Sequence, residues 1–493
     1  SKVIIILPNQ LFKVNDLVAK RTKDQIYIVE HPLYFSAYAY HKLKLILHRS
    51  TMKMYADHLR DTYEAQNVNY VELRQYKEFM DKLRKQSPDI HMYDPTDHTI
   101  YAELKELCVK YRDSQLFITP MADIKQYYVD HDRKFDINEF YVYQRNRLQL
   151  MVDEKGKPWG GQYAFEEERK GYPQDFSVDV KIVKNKSPYV EEAVKYVETH
   201  FSYHVGETKF YLPVNHKQAE SFFDQFLSQR LRLFAPYQEA VDPQISVGTH
   251  SLLSPLINIG LLTPAYVIGA AVEYYKANPK EVSLTSLEAF VRQIVAWREY
   301  ARMVYILEPV KLAEVNYFNH TRKISNGWYT ADTGMPPIDD MLKKFLRLGY
   351  CHHIERLMYI GNALFMLRID PKEVFNYFMM FIDAYPWVME ANVFGYSQHS
   401  SGKLMTRKPF FAPSSFLLKT SPYAKRQDSS SHKVCRKDWW EIWDALYYSF
   451  ISDNKDELRR NHATARAVSI LESKKPEDIK EMKCLVEEYM NDY

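Results

Sequence analysis

The sequence predicts two unlike domains in series: a doubly wound α/β domain with a parallel sheet, then an all-helical domain. Three observations carry that prediction. Short apolar runs alternate with helical spacing over residues 1–130, the pattern of βα units that build a parallel sheet. Between Lys170 and Pro188 the chain is polar, holds two prolines and has no helical period, as a linker does. From Val190 onward the apolar spacing is helical, with no further strand run and no internal repeat. A chain of 493 residues also exceeds one small core. The expected boundaries are 1–135 for the α/β domain, 136–189 for a connector and 190–493 for the helical domain.

In order, Val3-Ile4-Ile5-Ile6-Leu7 and Gln25-Ile26-Tyr27-Ile28-Val29 read as strands buried on both faces. The first has one lysine and too short an apolar core for a secretory signal. Between the second and third strands, His41 to Arg60 places Leu43, Ile46, Leu47, Met54 and Leu59 at helical spacing. Asn69-Tyr70-Val71-Glu72-Leu73 reads as the third strand and Ser114 to Pro120 as another. Ligands of such a sheet favour the carboxyl ends of its strands. No G-x-G-x-x-G is present to signal a dinucleotide.

Residues 137–169 read as a basic loop, with Arg145, Arg147, Lys155 and Lys157 among Tyr141, Tyr143, Trp159 and Tyr163. Cations beside rings suit phosphate contact and base stacking; they equally suit a solvated connector. In the helical half, Thr249-His250-Ser251-Leu252-Leu253-Ser254-Pro255 sets small hydroxyls at a helix start, where free N–H groups and the macrodipole favour anions. Asp339 to Arg347 is a helical stripe that Gly349 should stop. A second helix near Cys351 would put His353 and Arg356 at i,i+3. Neighbours on a helix point about 100° apart, so one of His352 and His353 can face a pocket while the other braces it. Lys403, Arg407, Lys408 and Lys419 lie near Phe410, Phe411 and Phe416, a mixture that suits a DNA groove with an aromatic wedge or a solvated rim.

The chain is 46% hydrophobic and 26% charged, a soluble globular balance. No apolar run reaches the roughly 18 residues of a membrane span. Net charge is only +3, so any affinity for nucleic acid must come from a local patch. Four cysteines, 108, 351, 435 and 484, form no C-x-x-C pair, which argues for reduced thiols inside a cell.

Joined with Gln293-Ile294-Val295-Ala296-Trp297-Arg298-Glu299, with Tyr385-Pro386-Trp387 through Asn392 to Gly395, and with Lys408-Pro409-Phe410, these stretches resemble the flavin-binding half of the photolyase and cryptochrome family. The nearest branch is the iron–sulfur, photolyase-related one, whose members include bacterial (6-4) photolyases. The resemblance implies FAD, held by Tyr237, Thr249, His250, Ser251, Leu252, Leu253, Ser254, Trp297, Arg298 and Arg356, with Asn392 near the flavin N5. It implies a monomer acting on UV-damaged DNA, contacted by Arg145, Arg147, Arg407 and Lys408. His353 takes the pocket position, as proton donor for a (6-4) lesion, and His352 supports it. The implied activity is a deoxyribodipyrimidine photolyase of (6-4) type. A cyclobutane-dimer photolyase and a cryptochrome-like photoreceptor are the competing readings.

Three departures from the family pattern accompany the match. Tyr329 and Tyr377 stand where relatives carry electron-transferring tryptophans, with Trp328 and Trp387 nearby. At the first strand end, Pro8-Asn9, before Gln10, stands where the family usually has Gly-Asp. With Glu30 this marks a lumazine-type antenna site from which Asn9 removes one carboxylate acceptor. The cluster cysteines are replaced or missing: Pro337 stands at the first position, and Cys435 alone remains near the carboxyl end. One thiolate cannot hold a cluster that needs about four, so neither cluster nor other metal is expected.

Overall fold

Five parallel strands make the sheet, in the order β3-β2-β1-β4-β5. They are β1 (Val3–Ile6), β2 (Gln25–Val29), β3 (Asn67–Val71), β4 (Ile90–Tyr93) and β5 (Lys110–Arg112). The computed structural model describes residues 1–165, 169–424 and 436–493; Cys435 lies outside them. Val3 pairs with Gln25 on one side and with Ile90 on the other, so β1 is central and all four of its residues are buried. The strand order reverses between β1 and β4, which makes the crevice beyond their carboxyl ends the place where such a sheet would take a ligand.

Two strand assignments differ from expectation. Ile90-His91-Met92-Tyr93 forms β4, a strand too short for its alternation to stand out. The edge strand is the exposed Lys110–Arg112, whereas Ser114 to Pro120 is irregular. The cause lies in the other domain. The N–H groups of Ile118 and Thr119 both donate to the Glu299 carboxylate, at 2.7 and 2.8 Å. Arg302 donates to the Thr119 carbonyl at 2.7 Å. These backbone groups are therefore committed to a seam between domains and not to a ladder.

The segment expected as a basic loop begins with a helix, Ile137–Arg147, capped by Asp136, whose side chain accepts from the N–H groups of Asn138 and Glu139. Arg145 is buried on it and donates to the carbonyls of Leu150, Met151 and Tyr163 and to the Tyr141 hydroxyl. It pins the connector and is not placed to meet DNA. Arg147 is likewise spent, donating to the Ile118 carbonyl and the Gln144 side chain. Residues 170–187 hold no helix or strand.

The Pro188–His200 helix then packs on the long Lys42–Thr62 helix of the α/β domain. Beyond it the described residues are helical, with no strand. Pro336–Leu348 ends at Gly349 with φ 67°, the left-handed turn that only glycine adopts freely. A Cβ there would come within 2.5 Å of Ile382. Among the described residues no helix is long and apolar enough to cross a membrane.

Candidate active site

A cavity of about 280 Å³ opens in the helical domain, and three of its walls are π-helical turns. Gln293–Arg298 contributes Trp297 and Arg298, Glu355–Gly361 contributes Arg356, and Ala391–Ser397 contributes Asn392 and Tyr396. Such widened turns recur at functional sites because the extra residue re-aims its neighbours. No spacing rule in the sequence announced them.

The charged wall is built on Asp383. Its carboxylate meets both terminal nitrogens of Arg356 at 2.9 Å and accepts from the Ser254 hydroxyl at 2.7 Å. Asn258 donates to the Asp383 backbone carbonyl at 2.9 Å and accepts from Arg298 at 3.2 Å. Arg356 also lies between the rings of Tyr350 and Phe381, 4.8 Å from each. Burial is the largest influence and lowers its pKa, but the Asp383 carboxylate, Tyr350 and Cys351 together hold the guanidinium above its usual value. The result is a fixed positive charge beside the cavity.

His353 lines the cavity and is exposed. Surrounding protein, with the charges of Arg356 and Arg169 adding to it, pulls its pKa down to about 4. His352 is buried behind it and stacks on His250, a cavity residue. The His352 N–H donates to the Glu355 carboxylate at 2.9 Å. Glu355 in turn is paired with the buried Lys344, which also donates to the carbonyls of Asp242 and Ile245. One histidine thus faces the pocket and its neighbour braces the turn.

Of the residues expected to hold FAD, His250, Ser251, Leu253, Ser254, Trp297, Arg298, Arg356 and Asn392 line the cavity. Tyr237, Thr249 and Leu252 do not. Tyr237 lies outside with Lys170 over its ring, and Leu252, at φ 56°, turns the chain. Asp383, Asn258, Tyr350 and Tyr396 join the wall unannounced. A lone carboxylate in the apolar stretch Phe381-Ile382-Asp383-Ala384 was the available signal, since buried aspartates are rarely unpaired. The arrangement fits FAD. Ser251, Arg298, Arg356 and the exposed Asn392 bring hydroxyl, cationic and amide groups to one cavity, the donors that a phosphate-bearing flavin requires.

From the cavity residue Phe378 a run of rings leads outward. Tyr377 lies 6.0 Å from Phe378 and 5.5 Å from the half-buried Tyr329, with Trp328 6.3 Å away. Trp387 is elsewhere. It packs on Phe117 at 4.8 Å, with Arg298 5.0 Å over its ring, in the seam between domains. Trp387 thus lies off the Phe378–Tyr377–Tyr329 run, and a cation over its ring opposes its oxidation.

The residues expected to mark an antenna are all buried. Gln10 spans the switch point, accepting from Leu7 N–H and donating to the carbonyls of Tyr93 and Asp94. Glu30 is fully buried; its carboxylate accepts from Arg49 at 3.1 Å and from Tyr70 at 2.9 Å. Asn9 is buried as well, with its side-chain oxygen unpartnered. Among the described residues no group of three or more His, Cys, Asp or Glu could hold a metal ion. Cys351 is buried, and Cys108 and Cys484 are exposed. Of the remaining DNA candidates, Arg407 is 92% exposed, 3.5 Å from Asp136, and Lys408 is exposed.

Four likenesses to known proteins bear on the chain. Residues 4–211 match a family described as deoxyribodipyrimidine photo-lyase-related protein. The chain is 27% identical over 494 residues to a (6-4) photolyase of Agrobacterium fabrum, covering 94% of each. Its fold is similar to that of a bacterial class III photolyase from Agrobacterium tumefaciens, with a TM-score of 0.55 at 15% identity over 98% of this chain and 91% of that one. A shorter stretch, 23% of the chain, is 35% identical to 85% of uncharacterized protein R853 of Acanthamoeba polyphaga mimivirus.

Proposed function

We propose that the chain, which resembles the deoxyribodipyrimidine photo-lyase-related proteins over residues 4–211 and a (6-4) photolyase over 94% of its length, repairs UV-damaged DNA as a (6-4) photolyase. When bound, reduced FAD excited by blue light supplies an electron to a pyrimidine dimer flipped from the duplex, because the reacting atoms lie inside the stack. The chain's own residues do the rest. Trp297 stands edge-on to Tyr396 at 4.4 Å, and Tyr396 stacks on Phe410 at 5.1 Å, which gives the extruded bases a ring-lined wall. Arg356, fixed by Asp383, keeps a positive charge where negative charge collects.

The observation that carries the (6-4) reading is the position of His353, on the cavity wall beside Arg356 with His352 locked behind it. With its pKa at about 4, His353 is neutral at neutral pH. A phosphate of the flipped nucleotide would raise that value. Arg169, held by Glu239 at 2.6 Å, is one of the two cations that depress it. A phosphate drawn to Arg169 would offset that effect and leave His353 able to protonate the lesion.

The engaged side chains of Gln10 and Glu30 support a protein that harvests light through its flavin without an antenna. The scattered cysteines support the absence of a cluster. Arg407 and Lys408 are its DNA-facing cations.

The test is an absorption spectrum of purified protein together with blue-light repair of defined (6-4) and cyclobutane lesions. Bound flavin with (6-4) repair is the expected result. Repair of cyclobutane dimers alone would move the substrate assignment. Bound flavin with no repair of either would favour a photoreceptor.

A further inference from the structure

We infer that Lys44, a residue of the α/β domain, is a positioning residue for the flavin site in the other domain, acting through Asp383. Lys44 sits on the Lys42–Thr62 helix and is 1% exposed. Its ammonium donates to the carbonyls of Met379, at 2.9 Å, and Ala384, at 2.5 Å. Those two carbonyls bracket Asp383 in the chain. The remaining face of the ammonium lies over the rings of Tyr40 and Tyr385, at 4.3 and 4.9 Å. Among the described residues no carboxylate reaches it within salt-bridge distance. A lysine buried without a directly bonded counter-ion is costly, and burial pulls its pKa well below the usual lysine value, so the side chain is kept there for the two carbonyls it holds.

The same helix face makes the grip wider than one side chain. His41, Lys44 and His48 recur at i, i+3 and i+7 and so share a face. The His41 N–H donates to the Met380 carbonyl at 3.0 Å, and its ring nitrogen donates to the Leu346 carbonyl at 2.8 Å. His48 is bonded to the Tyr385 hydroxyl at 2.8 Å. Residues 379–385 are thus tethered at both ends by another domain. What that segment presents to the cavity is Asp383, the shared partner of Arg356, Ser254 and Asn258. Without the Lys44 ammonium two buried carbonyls would lose their donor, and the segment would have to turn to find another. Asp383 would move with it, and Arg356 would lose its fixed place.

The inference rests on reading the cavity as a flavin site, and the experiment separates the two. FAD release from the full-length holoprotein is followed on dilution by flavin fluorescence, in wild type, Lys44→Met, Asp383→Asn and the double variant. Each single change should weaken FAD binding about tenfold or more, the loss of charge-assisted hydrogen bonds. The double variant should bind within about twofold of Asp383→Asn alone, because coupled residues are not additive. A merely structural lysine would give additive losses, and that result overturns the inference. So does Lys44→Met protein that binds FAD as wild type does. Should Lys44→Met not fold, Tyr385→Phe removes only the His48 tether and enters the same cycle, with the same non-additivity expected and the same additive result fatal. Wild-type protein that takes up no FAD overturns the flavin reading and this inference with it.

Discussion

The His352 ring lies flat on the His250 ring, with centroids 3.9 Å and planes 7° apart. Burial pulls both well below the usual histidine pKa, so the pair is neutral and packs as two aromatic plates. It ties the turn that carries His353 to the Thr249–Ser254 segment. His352→Ala should therefore lower repair by less than the 10²–10⁴-fold typical of a positioned proton-transfer group. His352→Phe should recover most of the loss by restoring the stack. Repair rates on defined (6-4) DNA check both; His352→Phe as poor as His352→Ala would show that a nitrogen matters and not the plate.

Photoreduction should depend on Tyr377. Its hydroxyl donates to the Trp328 carbonyl at 2.8 Å, an acceptor that cannot take a proton away. Tyr377 is thus a relay rather than a resting place for the oxidised state. Tyr377→Phe should slow light-driven flavin reduction severalfold and leave repair by chemically reduced protein unchanged. Trp387→Phe should leave both unchanged. Steady-state bleaching of flavin absorption under blue light with an external reductant measures the effect.

DNA binding should follow the exposed cations and not the buried ones. Each neutralised phosphate contributes a log–log salt slope of about −0.9, so Arg407→Ala with Lys408→Ala should flatten the slope by up to about 2. Arg145→Ala should leave the slope alone and lower the unfolding temperature instead, since four chain acceptors lose their donor. Salt titrations of lesion-DNA binding, with a melting curve of each variant, decide this. A salt slope that changes in Arg145→Ala contradicts the correction made above.

Acid should destabilise the fold before the carboxylates titrate. Burial holds His41, His216, His320 and His399 at about 4 and His48 at about 3, against about 6.5 when unfolded. As pH falls from about 6.5 towards 4 the unfolded chain takes up protons that the fold refuses, so stability falls. Glu30, raised to about 6 by burial against the pull of Arg49, and Glu390, raised to about 8 by burial, work in the opposite sense. Their contribution is full below the unfolded value of about 4.5 and is lost as pH rises through 6 and 8. Five histidines against two carboxyls give a net loss on acidification. Melting temperatures at constant ionic strength should drop between pH 6.5 and 4; a flat profile contradicts the assignment.

Much of this was legible because it is written locally. Gly349 ends the Pro336–Leu348 helix where a left-handed residue is required, and adjacency alone sets His352 and His353 on different faces. What stayed hidden depends on distant partners. Ser114 to Pro120 looks like a strand until Glu299, about 180 positions on, claims its N–H groups. Arg145 looks like a phosphate contact until its four acceptors fold around it. Asp383 gains meaning only from Arg356, Ser254 and Lys44, which come from three separate regions. The π-helical turns leave no periodic mark, because one extra residue per turn is invisible to a 3.6-residue template.

The central claim is that His353 gives a proton to a (6-4) lesion in a flavin-bearing cavity, and blue-light repair by His353→Ala with FAD still bound tests it most directly. Flavin should remain, since Ser251, Ser254, Arg298, Arg356 and Asn392 line the cavity independently of that ring. Repair of a defined (6-4) photoproduct should fall by about 10²-fold or more, and His353→Asn, which keeps a hydrogen-bond donor but no transferable proton, should be as inactive. Near-normal (6-4) repair by flavin-loaded His353→Ala would contradict the account and leave cyclobutane dimers, whose splitting needs no proton donor, as the favoured substrate.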